Sequence, residues 1–371
     1  MPCPDSWLNA FRNPAGAAEL VQAIRRRTEN RAPVRIMEIC GTHTMAIAKA
    51  GLRSLLAPGV ELISGPGCPV CVTPAGDIDA ALALCERPGL IVATYGDLMR
   101  VPGSERGDTL LQRRAAGADV RTVYSASDAV DLARANPDRE VVFLGVGFET
   151  TTPGTAACVL DAAESGLNNF SVFCLLKRTE PALRALLNAP DCGVDALLCP
   201  GHVAAVTGAD AFGFLPEEYG LPAVVSGFEA GDILYSIWRL VDMVCDSAPA
   251  LENEYSRLVT ATGNTAAQAV ADTVFLPADS LWRGLGEIKN SGLTLRPEYA
   301  RFDAATRYGL CRRQGTEPKS CRCGSVIRGV LHPEQCPLFG KICRPEDPVG
   351  PCMVSSEGAC AAAWKYRPAD A

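Results

Sequence analysis

Two cysteines three positions apart carry the clearest chemistry in this chain. They stand in Gly65-Pro66-Gly67-Cys68-Pro69-Val70-Cys71, directly after the strand-like Val60-Glu61-Leu62-Ile63. Two prolines stiffen the loop and two glycines permit close turns, so the sulfurs are held near each other at a strand end. A third thiol, Cys40, opens Cys40-Gly41-Thr42-His43-Thr44 after the strand-like 34–39. Three readings follow. Cys68 and Cys71 form a dithiol that cycles to a disulfide, its thiol pKa lowered by the helix-like run that follows. Or Cys40, Cys68 and Cys71 hold a thiophilic metal with open positions. The bland alternative, a chance pair of core cysteines, leaves the prolines and glycines unexplained.

Among the three histidines, His43 lies three residues after Cys40 and is a candidate ligand, base or orienting group. Thr42 and Thr44 read equally well as caps of the next helix. His202, after Pro200-Gly201, is a weaker candidate; a lone histidine is more often structural, which is the reading for His332. Glu149 precedes three threonines and Pro153. Thr152 and Pro153 read as a helix start, which leaves Glu149 as a candidate site carboxylate. No phosphate-binding G-x-x-x-x-G-K-[ST] pattern occurs.

The C-terminal quarter holds a second thiol group: Cys321-x-Cys323, Cys336, Cys343, Cys352 and Cys360. The paired C-x2-C of zinc knuckles is missing from it. Four thiolates around an iron–sulfur cluster suit the irregular spacing better. Cys336, Cys343 and Cys360 lead, with Cys321 or Cys323 as the fourth. Cys85, Cys158, Cys174 and Cys245 lie in apolar periodic runs and read as small core residues.

The elements that must position these groups alternate. Strand-like runs fall at 35–39, 60–64, 90–94, 120–124, 141–144, 171–175, 196–198 and 223–225. Helix-like runs fall at 16–27, 78–85, 128–135, 155–165, 181–187 and 231–242. This order predicts an α/β protein with parallel sheets, whose ligands gather at the carboxyl ends of the strands. CGTHT, GPGCPVC, Tyr95-Gly96-Asp97, GFETTT, Pro200-Gly201-His202 and Ser226-Gly227-Phe228-Glu229 are all strand-exit loops, so one rule places them on one edge. Two parallel-sheet βα domains are expected, residues 1–118 and 119–250. A third region, 251–371, is expected to be helical to about 273, then irregular and organised by metal.

Composition narrows the class. The chain has 371 residues, 48% of them hydrophobic, a formal net charge of −7 and no basic block, which argues against nucleic-acid binding. Residues 1–11 lack an export signal and no apolar run is long enough to span a bilayer, so a soluble cytoplasmic protein is expected. Seventeen cysteines in a reducing compartment point to metal or catalytic thiols rather than structural disulfides.

From about residue 30 to the end, CGTHT at 40–44, GPGCPVC at 65–71, GFETT at 147–151, PGHV at 200–203 and GPCMVSSEGAC at 350–360 resemble the hydrogenase maturation factor family HypD. The resemblance implies a scaffold on which the Fe(CN)2CO group of [NiFe]-hydrogenase is built. It implies a small HypC-type chaperone that brings an N-terminal cysteine to the iron, and a HypE-type donor that delivers cyanide as a thiocyanate. It implies two α/β domains plus a C-terminal domain with a [4Fe-4S] cluster. By motif, Cys40, Cys68 and Cys71 become the thiols for Fe(II) carrying CN and CO, with His43 beside them. The cluster ligands fall among Cys321, Cys323, Cys336, Cys343 and Cys360. The competing reading is a stand-alone cluster-dependent thiol–disulfide oxidoreductase, which has little use for Cys40; a weaker one is a structural zinc protein.

Overall fold

The computed structural model describes residues 14–367. The expectation that residues 1–11 carry no export signal lies outside the described residues. In chain order the strands are β1 (Val34–Glu38), β2 (Val60–Ser64), β3 (Ile91–Thr94), β4 (Asp119–Thr122), β5 (Val141–Gly147), β6 (Phe170–Leu176), β7 (Ala196–Pro200), β8 (Ala223–Ser226), β9 (Leu251–Asn253), β10 (Phe275–Trp282) and β11 (Gly286–Leu295). All eight strand-like runs of the sequence are strands. Together with β9 they form two parallel sheets, ordered β2-β1-β7-β8-β9 and β4-β3-β5-β6. β5 and β6 are buried along their whole length, as parallel strands covered on both faces must be. On the first sheet, Ile36, Leu62, Leu198 and Val224 pack under the helices Pro14–Thr28 and Ala230–Asp246, whose Ile24, Ile233, Ile237 and Leu240 are fully buried.

Strand pairing does not follow the boundary expected at residues 118 and 119. That point falls inside the second sheet, where β3 pairs with β4 (Val92 with Val120). The first sheet is discontinuous in sequence: the chain leaves after β2, builds the second sheet, and returns so that β7 pairs with β1 (Met37 with Leu197). Periodicity identifies strands but not partners, and a return crossover of this length has no local signature. β9, at the start of the region expected to be helical, extends the first sheet, and the helix there is Thr265–Val274.

A second departure lies just beyond. The stretch expected to be irregular from residue 275 is an antiparallel hairpin, β10–β11, with a register shift between Ala278 and Ser280. Pro277, Gly292 and that shift break the two-residue alternation which would have announced it. Trp282 is fully buried in it, its indole N–H donating to Ser291 Oγ at 2.7 Å. Beyond the hairpin, short helices and turns carry the cysteine-rich region, and among the described residues only Ala304–Tyr308, Cys323–Ile327 and Ala359–Lys365 are in α-helix there. Among the described residues, no helix is long and apolar enough to cross a membrane.

Candidate thiol site at the strand-exit edge

Each sheet sends its exit loops toward the same place. A cavity of about 240 Å³ is lined by Cys40 and Thr42 after β1, Gly67 and Pro69 after β2, Thr150 and Thr151 after β5, and His202 after β7. The hairpin adds Trp282 and the C-terminal region adds Glu357. The two thiol loops are locked together by backbone. Gly41 N donates to Gly67 O at 3.1 Å, and a Cβ on Gly67 would lie 2.5 Å from Cys40 Cα. Only glycine fits there. Both motifs run straight into helix: Cys40 is the N-cap of Gly41–Lys49 and Cys68 that of Pro69–Val72. Thr42 and Thr44 therefore lie inside a helix rather than capping it. Thr42 Oγ1 instead donates to Glu357 Oε1 at 2.9 Å.

Cys68 and Cys71 are joined as a disulfide, with Cα atoms 5.2 Å apart, and both are buried. Cys71 N donates to Cys68 Sγ at 3.1 Å. Cys40 is free; burial, then the nearby Glu357 carboxylate, push its thiol up to about 11. A thiol so raised is protonated at neutral pH, and a bound cation must displace the proton.

His43 does not line the cavity. It is fully buried, Nε2 sits 2.9 Å from Gly227 O, and Nδ1 has no partner among the described residues. Burial lowers its pKa to about 4, so it is neutral. His43 stacks on Phe228 at 4.5 Å, and the exposed His202 stacks on the same ring at 3.8 Å. The SGFE loop after β8 thus separates the two histidines with an aromatic ring. Behind it, Glu254 accepts from Gly227 N at 3.0 Å, and burial raises its carboxyl to about 7.

Glu149 is placed elsewhere. Its carboxylate accepts from Thr179 N at 2.6 Å and Thr179 Oγ1 at 2.7 Å, which closes the N-terminus of the helix Thr179–Leu187. It borders a separate cavity of about 330 Å³. The capping role answers what the sequence left open for this carboxylate, and only a long-range partner could reveal it.

The C-terminal thiols do come together. Cys321, Cys323, Cys336, Cys343, Cys352 and Cys360 all border one small, apolar cavity of about 20 Å³. Cys352, which the sequence left as a spare, is buried with its sulfur 2.7 Å from that of Cys323. Cys321 and Cys352, with lesser help from Arg283, hold the Cys323 thiol well below its ordinary value. Cys311 is exposed and does not border this cavity. Among the described residues, no three His, Cys, Asp or Glu side chains stand in ready-made ligand geometry. As a donor set, though, six thiols on an apolar wall suit the chemistry of an iron–sulfur cluster. The region is anchored to the exit edge: Asp97 Oδ2 accepts from Ser355 Oγ at 2.9 Å and Ser356 N at 3.1 Å, and a Cβ on Gly41 would lie 2.5 Å from Glu357 O. Glu357 lies between the last two cysteines in sequence, the one signal that could have marked it.

These features define a class: an α/β protein with two parallel sheets, a disulfide-forming cysteine pair on their shared exit edge, and a docked C-terminal thiol cluster. Residues 15–367 match the model of the HypD family, described as the hydrogenase formation hypA family. The chain is 46% identical over 367 residues to the hydrogenase maturation factor HypD of Escherichia coli K12, covering 97% of this chain and 98% of that one. The HypD of Rhodobacter capsulatus is 47% identical over 370 residues, with 97% and 98% covered. That of Azotobacter vinelandii is 45% identical over 366 residues, with 97% and 96% covered. The chain belongs to the HypD family.

Proposed function

We propose that this chain is a hydrogenase maturation factor that serves as the scaffold for the Fe(CN)2CO group of a [NiFe]-hydrogenase. It works with a HypC-type chaperone and receives cyanide from a HypE-type donor. The observation that carries the reading is the backbone lock between the Cys40 and Cys68/Cys71 loops beside one cavity. A dithiol oxidoreductase has no need of that third thiol. The iron is cargo. Cys40, with Cys68 and Cys71 once reduced, supplies thiolates suited to Fe(II) carrying strong-field ligands, and the open side of the cavity leaves room for the chaperone's cysteine.

The dithiol has a second role. A thiocyanate on the donor's cysteine, R–S–CN, takes two electrons and two protons to become R–SH and HCN. Oxidation of Cys68 and Cys71 to their disulfide releases two electrons and two protons, so the exchange balances without an outside oxidant. Trp282, Phe148 and Leu183 line the cavity and limit water there. Thr42 and Glu357 provide a hydroxyl and a carboxyl whose pKa is raised by burial, a group able to hold a proton beside Cys40.

The C-terminal thiols are proposed to hold a [4Fe-4S] cluster through four of Cys321, Cys323, Cys336, Cys343 and Cys360, with Cys352 a further donor. When bound, the cluster supplies one-electron storage near the dithiol. The test is an infrared spectrum of the protein purified without oxygen together with its small chaperone. Cyanide and carbonyl bands that vanish in Cys40→Ala support the scaffold. A protein without such bands, but with a titrating dithiol and iron–sulfur absorbance, is the oxidoreductase instead.

A further inference from the structure

The tip of the β10–β11 hairpin lies between the two thiol groups, and one buried arginine spans it. Arg283 is 3% exposed. Its backbone N donates to Val72 O at 2.8 Å and its Nε to Thr73 O at 2.9 Å, the two carbonyls that follow Cys71. One η nitrogen pairs with Glu317, and the other has no hydrogen-bond partner among the described residues. The next residue, Gly284, has φ +79° and lies against Gly324, beside Cys323; a Cβ on Gly284 would lie 2.5 Å from Gly324 Cα. Glu317 returns to the dithiol side, where Ala75 N donates to its Oε1 at 3.4 Å. One guanidinium and one carboxylate thus sit in the joint between the dithiol helix and the C-terminal thiols. A buried arginine with an unsatisfied nitrogen is costly to keep, and tethering the helix does not require its charge.

We propose that Arg283 and Glu317 are positioning residues that set the reduction equilibrium of the Cys68–Cys71 disulfide through their opposed charges. The inference rests on the proposed redox role of that pair. A fixed cation near the helix stabilises a thiolate, and with it the reduced form; a carboxylate beside the cation opposes this. The disulfide takes two electrons and two protons from a dithiol such as dithiothreitol, which closes to its own cyclic disulfide, so the equilibrium can be read without other cofactors.

The experiment equilibrates the full-length protein in dithiothreitol buffers, traps thiols by acid and alkylation, and determines the redox state of Cys68 and Cys71 by peptide mass. Arg283→Met is expected to shift the equilibrium about tenfold toward the disulfide, about 30 mV for a two-electron couple. Glu317→Gln is expected to shift it severalfold toward the dithiol. Arg283→Lys, which keeps the charge but loses the fork, should stay near wild type. Opposite signs from two substitutions that both remove contacts are the signature of charge; mere loosening moves both the same way. Shifts of the same sign, or none in either variant, overturn the proposal. A wild-type pair that stays oxidised across the whole buffer range overturns it together with the redox role, whereas a wild-type pair that cycles normally while Arg283→Met leaves it unmoved overturns the inference alone.

Discussion

Gly67→Ala is the sharpest perturbation of the candidate site. The added Cβ would lie 2.5 Å from both Cys40 Cα and Ile39 C, where ordinary contact begins at 3.4 Å, so the loops must part by almost an ångström. Both neighbours are backbone, and no rotamer change relieves them. Overpacking of this kind costs about 1–3 kcal/mol. Stretching the Gly41 N to Gly67 O bond adds about 1 kcal/mol. At about 2 cal/mol/K of unfolding entropy per residue, the chain's 371 residues make a loss of about 3 kcal/mol a fall in Tm of about 4 °C. The chemical effect should be larger than the thermal one. Metal–thiolate distances tolerate about 0.2 Å, so on the proposed scaffold reading a Cys40 displaced by several times that could not join Cys68 and Cys71 on one cation. The assay is cobalt(II) titration of the reduced protein, followed by thiolate-to-metal charge transfer, beside a thermal melt. We expect at least tenfold weaker binding at the Cys40 site. Gly154→Ala is the control, since nothing lies within 4 Å of its added methyl. A Gly67→Ala protein with wild-type melting and wild-type cobalt affinity refutes the claim that this contact sets the site.

Other outcomes follow from single groups. His43 is held neutral at a pKa of about 4 against 6.5 unfolded, so its contribution is full above pH 6.5 and lost as pH falls toward 4. Across that window the wild type should lose roughly 3 kcal/mol more than His43→Asn, measured by urea midpoints at stepped pH. Glu149→Ala should cost about 1 kcal/mol through the uncapped helix at Thr179, yet leave cobalt binding unchanged; a lost metal site would return Glu149 to the chemistry. Asp77, fully buried, pairs with Arg312 at 3.0 Å, whose side chain is 30% exposed. Asp77→Asn should therefore cost roughly 2–3 kcal/mol, below the range for wholly buried pairs, and expose residues 309–320 to protease. Undiminished resistance of that segment would show that the pair does not pin it.

Much of the fold was legible because its signals are local. Runs such as Val141-Val142-Phe143-Leu144 and Phe170-Ser171-Val172-Phe173 are buried end to end, and no helix period competes with them. The exit-loop rule gathered Cys40, Gly67, Thr150 and His202 with no knowledge of strand order, because every parallel strand sends its loop to the same edge. Strand partners were not legible. β7 returns to β1 across the whole second sheet, and nothing between residues 65 and 195 announces the return. The hairpin was hidden for a different reason: Pro277 and the shifted register spoil its alternation, and its strongest residue, Trp282, is one of four tryptophans with nothing local to rank it.

Three of the contacts that hold the site together depend on a glycine whose reason lies far away in sequence. Gly67 makes way for Cys40, Gly41 for Glu357, and Gly284 for Gly324. In the sequence each of these looks like a turn residue, and Gly284, with φ +79°, is one. Gly41 and Gly67 have no positive φ, so backbone freedom does not explain them. The space a Cβ would take at each is already filled, by Glu357 at Gly41 and by the backbone of Ile39 and Cys40 at Gly67, which lets segments distant in sequence pack closely. A helix cap or a strand can tolerate a neighbouring side chain by tilting. The paired loops of Cys40 and Cys68 cannot, because each thiol is fixed by its own helix start, and the same holds for Cys323 in the separate C-terminal thiol group. The glycines are therefore positioned by the chemistry they permit, and substituting any one of them should uncouple thiols that the rest of the fold still holds.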